Sequence, residues 1–197
     1  MKNAFIIHGT NGYPEEGWFP WLKKELEGDG YQVFVPQFST PKNQTPEHWF
    51  ATLQSYEFDE ETILIGHSCG GAFLLRVLES LKTKVKAAVF VAASVGIKPI
   101  KYYEVDRPFV GEPFDWEKIR NSAKHFFVFH SEDDPFICVE NGEKIAKEIG
   151  TELIRLKDAG HFNAKAGYTK FELLIEKMKP ILGVANFEAK FCLRNGK

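Results

Sequence analysis

One serine stands in a pattern that is typical of a catalytic nucleophile. Residues 66–70 read Gly-His-Ser-Cys-Gly, a G-x-S-x-G motif between an apolar run ending at Ile65 and a helical run beginning at Gly71. This context places the serine on a sharp, strained strand-to-helix turn that projects its hydroxyl above a sheet. The pattern therefore predicts Ser68 as a nucleophile, and the alternative is a glycine-rich turn whose serine caps a helix.

A serine hydroxyl needs a base to take its proton, and a histidine is the usual base. Of the six histidines, His161 is the best placed, because residues 160–163 (Gly-His-Phe-Asn) follow an apolar run and would open at the carboxyl edge of a sheet. The alternative is a histidine in a surface loop. We expect His8 and His67 to shape the loops of the site, and the other three to be surface or structural residues (His48, His125 and His130).

A carboxylate must then hold the imidazole in the correct tautomer. Residues 131–135 (Ser-Glu-Asp-Asp-Pro) follow another apolar run and contain three acids. By this reasoning either Asp133 or Asp134 can reach His161, and the cluster could instead be a helix-capping acidic turn. The order serine, aspartate, histidine along the chain is that of the α/β-hydrolase architecture.

The oxyanion of an acyl-transfer reaction needs two backbone donors. The first is the amide of Cys69, which follows the nucleophile. The second is expected in the His-Gly-Thr-Asn loop at residues 8–11, where the Thr10 amide is favoured and the Asn11 amide is the second choice. The loop could also be an ordinary glycine turn. It lacks the G-x-G-x-x-G pattern and the lysine of phosphate-binding loops.

These residues follow short apolar runs that alternate with segments of helical period. The runs are continuously apolar, which is typical of parallel strands buried on both faces. The pattern predicts an α/β fold with a mostly parallel sheet of about six strands and helices on both faces. Residues 1–182 form one domain, and 183–197 are a tail that is either a short helix or disordered. Residues 94–116 show no clear period and are expected to be a long loop that acts as a flap. The predicted strands are 4–8, 31–35, 62–65, 86–92, 125–130 and 152–156.

Composition excludes several classes of protein. The chain has 197 residues, with 25 Lys and Arg against 27 Asp and Glu, so no basic excess favours nucleic acid. It has no run of 18 apolar residues, so no membrane span is expected. The three cysteines are widely spaced, which argues against a disulfide framework or a metal site and favours a cytoplasmic location.

The motifs together resemble the small α/β-hydrolase serine hydrolases, the family of bacterial YdeN-like proteins and human retinoblastoma-binding protein nine. The resemblance spans about residues 4–182 and implies that the acid is the aspartate before the proline, Asp134. It also implies a minimal cap, no metal or cofactor, and activity on small acyl substrates. The stretches that resemble the family are IIHG (6–9), WFPWLKKEL (18–26), TILIGHSCGG (62–71), SEDDPF (131–136) and GHFN (160–163).

The expected function is that of a serine esterase that forms an acyl-serine intermediate. Aromatic side chains could line a small apolar pocket, although each could equally pack in the core. A peptidase or thioesterase on the same scaffold, or a protein-binding module that retains the fold, are the alternatives. The sequence leaves the acyl-chain preference and the oligomeric state open. The candidate pocket residues are Tyr13, Trp18, Tyr102, Tyr103, Phe136 and Phe162.

Overall fold

The computed structural model describes residues 2–183, and the predicted tail beyond Gly183 lies outside them. Its centre is a six-stranded parallel sheet in the order β2-β1-β3-β4-β5-β6, as the continuous apolar runs predict. The strands are β1 (Asn3–Ile7), β2 (Gln32–Phe34), β3 (Ile63–His67), β4 (Val85–Val91), β5 (Ala123–Ser131) and β6 (Leu153–Leu156). The helices are α1 (Phe19–Gly28), α2 (Pro46–Leu53), α3 (Cys69–Ser80), α4 (Tyr103–Val110), α5 (Trp116–Asn121), α6 (Glu140–Ile149) and α7 (Glu172–Leu182), with a 3₁₀ turn at Ala164–Ala166.

Helices cover both faces of the sheet and form two cores. One face packs against α1 and α7, whose buried side chains include Leu22 and Met178. The other face packs against α2, α3, α5 and α6, with Trp49 and Phe73 among the large buried rings. Because both faces are covered, the central strands β3 and β4 are almost entirely buried. Within residues 2–183, no helix has the length and apolarity needed to cross a membrane.

The strand order reverses between β1 and β3. From β1 the chain moves outward to β2, and it then returns to the other side of β1 and continues through β3, β4, β5 and β6. The register pairs Ile6 with Ile65 and Ile7 with Gly66, so the two strands end side by side. Loops that leave neighbouring strands in opposite directions open a crevice at the carboxyl edge, which is where α/β proteins bind ligands.

The segment 94–116 differs from the expected long loop. It contains α4 and the first residue of α5, and Phe109 and Val110 are buried against the core. Arg76 of α3 holds the end of this segment, because its guanidinium donates to the carbonyls of Phe109 (2.9 Å), Glu112 and Pro113. The helix has only eight residues and a proline inside it, Pro108, and a proline within so short a segment predicts a break and not a helix.

Candidate active site

Ser68 lies on a strained turn between β3 and α3. Its backbone has φ 58° and ψ −128°, a conformation that costs a residue with a side chain about 1–3 kcal/mol. The turn is possible because its neighbours are glycines. A Cβ on Gly70 would lie 2.4 Å from the carbonyl oxygen of Ile7, and one on Gly66 would lie 2.7 Å from that of Gly70. The G-x-S-x-G glycines thus allow α3 to approach the sheet and present the serine at its edge.

His161 is in the loop that follows β6, opposite Ser68. Its Nε2 is 3.0 Å from the Ser68 Oγ, and the side chain is almost completely buried. The rings of Phe136 and His67 flank it, with centroids at 4.7 and 4.9 Å. The loop turns sharply here, since Gly160 has φ 50°. This contact brings together the predicted nucleophile and the predicted base.

Asp134, in the loop after β5, is the acid next to His161. Its Oδ2 and Oδ1 lie 2.8 and 3.0 Å from His161 Nδ1, and its side chain is fully buried. Oδ1 also accepts hydrogen bonds from the amides of Phe136 (2.8 Å) and Ile137 (3.1 Å). Asp133 points elsewhere and accepts from the Ser131 hydroxyl and the Gly160 amide. The structure therefore brings Asp134, the residue implied by the family resemblance, to the histidine, and Asp133 supports the loop beside it.

The loop after β1 lies directly against the nucleophile. A Cβ on Gly9 would be 2.6 Å from the Ser68 Cβ, so the next amide, that of Thr10, begins within reach of the reacting centre. The Asn11 amide is already used, because it donates to the Thr40 hydroxyl at 2.8 Å. Within residues 2–183, neither the Thr10 nor the Cys69 amide donates to another backbone carbonyl outside the regular elements. Cys69 is also the first residue of α3, where the helix dipole favours negative charge.

Two buried histidines hold the loops around this centre. Burial, together with the nearby His161, lowers the pKa of His67 to about 3, so its ring is neutral and one nitrogen contacts the His161 carbonyl oxygen at 2.9 Å. Burial also lowers the pKa of His8. Its Nε2 accepts from the Phe38 amide at 3.0 Å, so Nδ1 has the proton and donates to the Gly9 carbonyl at 2.9 Å.

A cavity of about 310 Å³ opens in front of Ser68 and His161. Three of the predicted pocket residues line it, namely Tyr13, Tyr102 and Phe136. Glu16, Asn163 and Lys165 also line it and were not predicted from the sequence, although two of them follow His161 closely in the chain. Burial raises the pKa of the Glu16 carboxyl, and the neighbouring His161 partly offsets this effect.

The prediction that Trp18 and Phe162 line the pocket is wrong. Each of these residues is at most 1% exposed to solvent, and both belong to the core between the sheet, α1 and α7. The Trp18 indole N–H donates to the Phe162 carbonyl oxygen at 2.8 Å, so its polar atom is satisfied inside the protein. Tyr103, on α4, is not among the cavity residues either, and its ring lies under the ammonium of Lys98.

Within residues 2–183, no group of three or more His, Cys, Asp or Glu side chains is arranged to hold a metal ion. Cys69 and Cys138 are free thiols, and Cys192 lies outside the described residues.

Comparisons with known proteins show the family to which the chain belongs. The model of a family described as serine hydrolase matches residues 4–179. YdeN of Bacillus subtilis, whose name describes a hydrolase, is 32% identical over 177 residues, which is 89% of this chain and 93% of YdeN. The serine hydrolase RBBP9 of Rattus norvegicus is 30% identical over 183 residues, or 91% of this chain and 95% of that protein.

Solved structures show the same architecture. The crystal structure of the B. subtilis ydeN gene product superposes with a TM-score of 0.86 at 30% identity, over 93% of this chain and all of that one. The esterase domain of a Rhodothermus marinus protein has a TM-score of 0.62 at 18% identity, over 92% of this chain and 88% of that one. At that identity the second match shows the fold alone.

Proposed function

Since the chain belongs to the serine hydrolase family, we propose that it hydrolyses small acyl esters through an acyl-serine intermediate. The single observation that supports this most directly is the continuous hydrogen-bonded chain from Ser68 through His161 to Asp134, with contacts of 3.0 and 2.8 Å. A helix-capping serine would have no need of a buried histidine and a buried carboxylate in line behind it.

In the first half of the reaction, His161 Nε2 takes the proton of the Ser68 hydroxyl as Oγ attacks the acyl carbonyl carbon. The carbonyl π electrons move to its oxygen, and the amides of Cys69 and Thr10 stabilise the resulting oxyanion. The intermediate collapses and expels the alcohol, which receives the proton from His161. Asp134 holds Nδ1–H and stabilises the imidazolium throughout.

In the second half, water replaces the alcohol in front of the acyl-serine. His161 Nε2 takes a proton from that water as its oxygen attacks the acyl carbon. The second tetrahedral intermediate releases the Ser68 oxygen, which regains its proton from His161. The products are a carboxylic acid and the free enzyme, so no cofactor is consumed.

The size and lining of the cavity favour short acyl groups. A volume of about 310 Å³ is at the lower end of the range of small-molecule pockets. Aromatic surface from Tyr13, Tyr102 and Phe136 is balanced by the polar side chains of Glu16, Asn163 and Lys165. We expect turnover of p-nitrophenyl esters to fall as the acyl chain lengthens beyond a few carbons.

A fluorophosphonate probe and p-nitrophenyl acetate test the proposal together. Wild type should be labelled on a single serine and should release p-nitrophenol, and Ser68→Ala should do neither. His161→Ala should lose turnover as well. Ser55→Ala, a change of an exposed serine, is the matched control and should behave as wild type. Equal labelling of wild type and Ser68→Ala would reject the proposal.

A panel of acetyl donors then distinguishes an esterase from a thioesterase or a peptidase on the same scaffold. Acetate esters, thioesters and p-nitroanilides of equal size present the same acyl group to the same cavity. For each substrate, kcat/KM is divided by the rate constant of its uncatalysed hydrolysis. The proposed function predicts that this ratio is highest for the oxygen ester. A preference for the anilide would reassign the enzyme to amide hydrolysis.

A further inference from the structure

We propose that Asp106 of α4 is a positioning residue that orients the two oxyanion-binding loops through hydrogen bonds to their side chains. This inference rests on the proposed function, because it concerns how the Thr10 and Cys69 amides are aimed. Asp106 lies in the segment 94–116, where the sequence predicts a flap. It is not among the residues that line the cavity in front of Ser68. It therefore acts through other residues and does not touch the substrate.

Asp106 belongs to a cluster of four side chains from four parts of the chain, and the other three are Thr10, Gln44 and Cys69. The Thr10 hydroxyl donates to Asp106 Oδ1 at 2.5 Å. Gln44 Nε2 donates to the same oxygen at 3.0 Å and to the Thr10 hydroxyl oxygen at 2.6 Å, and it lies 3.5 Å from Cys69 Sγ. Asp106 Oδ1 thus accepts from both Thr10 and Gln44, which ties the loop after β1 to helix α4.

The cluster extends into the loop that follows Thr10. The Thr40 hydroxyl donates to Gln44 Oε1 at 2.5 Å, and the same hydroxyl oxygen accepts the Asn11 amide at 2.8 Å. The side chain of Thr10 and the amide of Asn11 are thus both fixed. The peptide between Gly9 and Thr10 has little freedom left to rotate, and this is the peptide that supplies the second oxyanion donor.

Asp106 is an unusual group to find at this depth. It is 2% exposed, and the groups that contact it are a hydroxyl, an amide and a thiol, all of them neutral. Burial raises the pKa of its carboxyl, although the hydrogen bonds from Thr10, Cys69 and Gln44 counteract the effect. Burial also raises the pKa of the Cys69 thiol, so that this group stays protonated and can donate. Burying a carboxylate among neutral donors is costly, and a positioning role at the reacting centre accounts for its location.

The two residues that supply the oxyanion donors, Thr10 and Cys69, both contact the side chain of Asp106. Thr10 follows β1 and Cys69 begins α3, and the backbones of β1 and β3 pair side by side. The cluster adds a second connection at the level of the donors themselves. Because removal of one oxyanion donor lowers kcat by about 10²–10³, a misaimed donor should cost a part of that.

The test compares substitutions at both ends of the bond between Thr10 and Asp106. Thr10→Val keeps the backbone amide and the side-chain shape but removes the hydroxyl, and we expect kcat to fall about 10- to 100-fold with KM changed less than about threefold. Thr10→Ser, which restores a hydroxyl, should recover most of that loss. Thr52→Val, on α2 and outside the cavity lining, controls for a hydroxyl-to-methyl change.

A double-variant cycle distinguishes positioning from a purely structural role. Asp106→Ala should lower kcat as much as Thr10→Val does, and the double variant should lose no more than the larger single loss, because both changes remove the same bond. Asp106→Asn retains an oxygen that can accept both bonds and should recover most of the kcat. Thermal unfolding of each variant is measured alongside, and if Asp106→Ala does not fold, the contrast between Thr10→Val and Asp106→Asn remains the test.

Three outcomes would overturn the inference while leaving the proposed function intact. Thr10→Val could retain kcat within twofold, the losses could multiply in the double variant, or the apparent kcat could fall only in proportion to the fraction of folded protein. Failure of the proposed function looks different, since wild type itself would then show no turnover that depends on Ser68.

Discussion

Replacing Asp134 with asparagine tests the acid directly, because the structure determines how the new amide must sit. Two backbone amides, those of Phe136 and Ile137, donate to Oδ1 at 2.8 and 3.1 Å. An asparagine keeps its carbonyl oxygen at that position, and its NH₂ group therefore takes the place of Oδ2, 2.8 Å from His161 Nδ1. A donor now faces Nδ1, so the favoured tautomer has its proton on Nε2, which faces Ser68.

The size of the effect follows from that tautomer. With Nε2 protonated, the ring cannot accept the Ser68 proton, and kcat should fall by about 10⁴, or about 5.5 kcal/mol of transition-state stabilisation. Binding of substrate should change little, because Asp134 is buried behind the histidine and does not line the cavity. The loss should therefore lie in kcat and not in KM.

Asp133→Asn is the matched control, one residue away. Asp133 Oδ1 accepts from the Ser131 hydroxyl at 2.5 Å and the Gly160 amide at 2.8 Å, and an asparagine oxygen can accept both. We expect kcat to fall less than about tenfold, which corresponds to about 1.4 kcal/mol. Steady-state hydrolysis of p-nitrophenyl acetate measures both variants, and unfolding curves confirm that both are folded. A larger loss in Asp133→Asn than in Asp134→Asn would refute the reasoning.

Four further changes give measurable outcomes. Ser68→Gly should unfold with a free energy about 1 kcal/mol above that of Ser68→Ala, because glycine relieves the positive φ, and denaturant titration would show this. The pKa of His67 is about 3 in the folded protein and 6.5 in the unfolded chain, so below pH 6.5 the ring takes up a proton when the protein unfolds. The free energy of unfolding is therefore unaffected by His67 above pH 6.5 and falls as the pH drops towards 3, by about 2 kcal/mol at pH 5. His67→Gln should flatten the fall in unfolding free energy between pH 7.5 and 5, and an unchanged slope would contradict the assignment. Arg76→Ala should cost about 3 kcal/mol, since three carbonyls and the Phe114 ring lose their partner, whereas exposed Arg120→Ala should cost at most about 1 kcal/mol in the same titration. Glu16→Gln should lower kcat/KM for a cationic acetate ester about three- to tenfold relative to its neutral isostere, since a charge at the cavity wall is worth about 1 kcal/mol; equal losses for both esters would exclude an electrostatic role.

Ser68 and His161 could be predicted from the sequence because the signal for each is local. The serine is marked by glycines at fixed spacing and by the change from an apolar run to a helical one, and the histidine by its place after a strand. In a parallel sheet, residues after different strands meet at one edge, so two local signals imply one site. The choice between Asp133 and Asp134 could not be made this way, because adjacent residues in a loop point in directions set by the turn itself.

The residues that were predicted wrongly or missed depend on long-range packing. Trp18 and Phe162 are aromatic and close in sequence to site residues, but an aromatic side chain is equally suited to a cavity wall and to a core. Both rings pack against Phe171, which directly precedes α7 and is remote from Trp18 in the chain. Asp106 could not be found either, since its partners Thr10, Gln44 and Cys69 come from three other segments.

The position of Asp106 also changes how the segment 94–116 should be understood. A flap opens readily only where its contacts with the rest of the protein can break at little cost. Helix α4 does not meet that condition, because its carboxylate accepts the Thr10 hydroxyl and the Gln44 amide in a buried cluster behind the oxyanion loop. Moving α4 away would release Thr10 and misaim its amide. We therefore expect substrate to enter along the cavity residues Tyr13, Tyr102 and Lys165, with α4 held in place during the reaction.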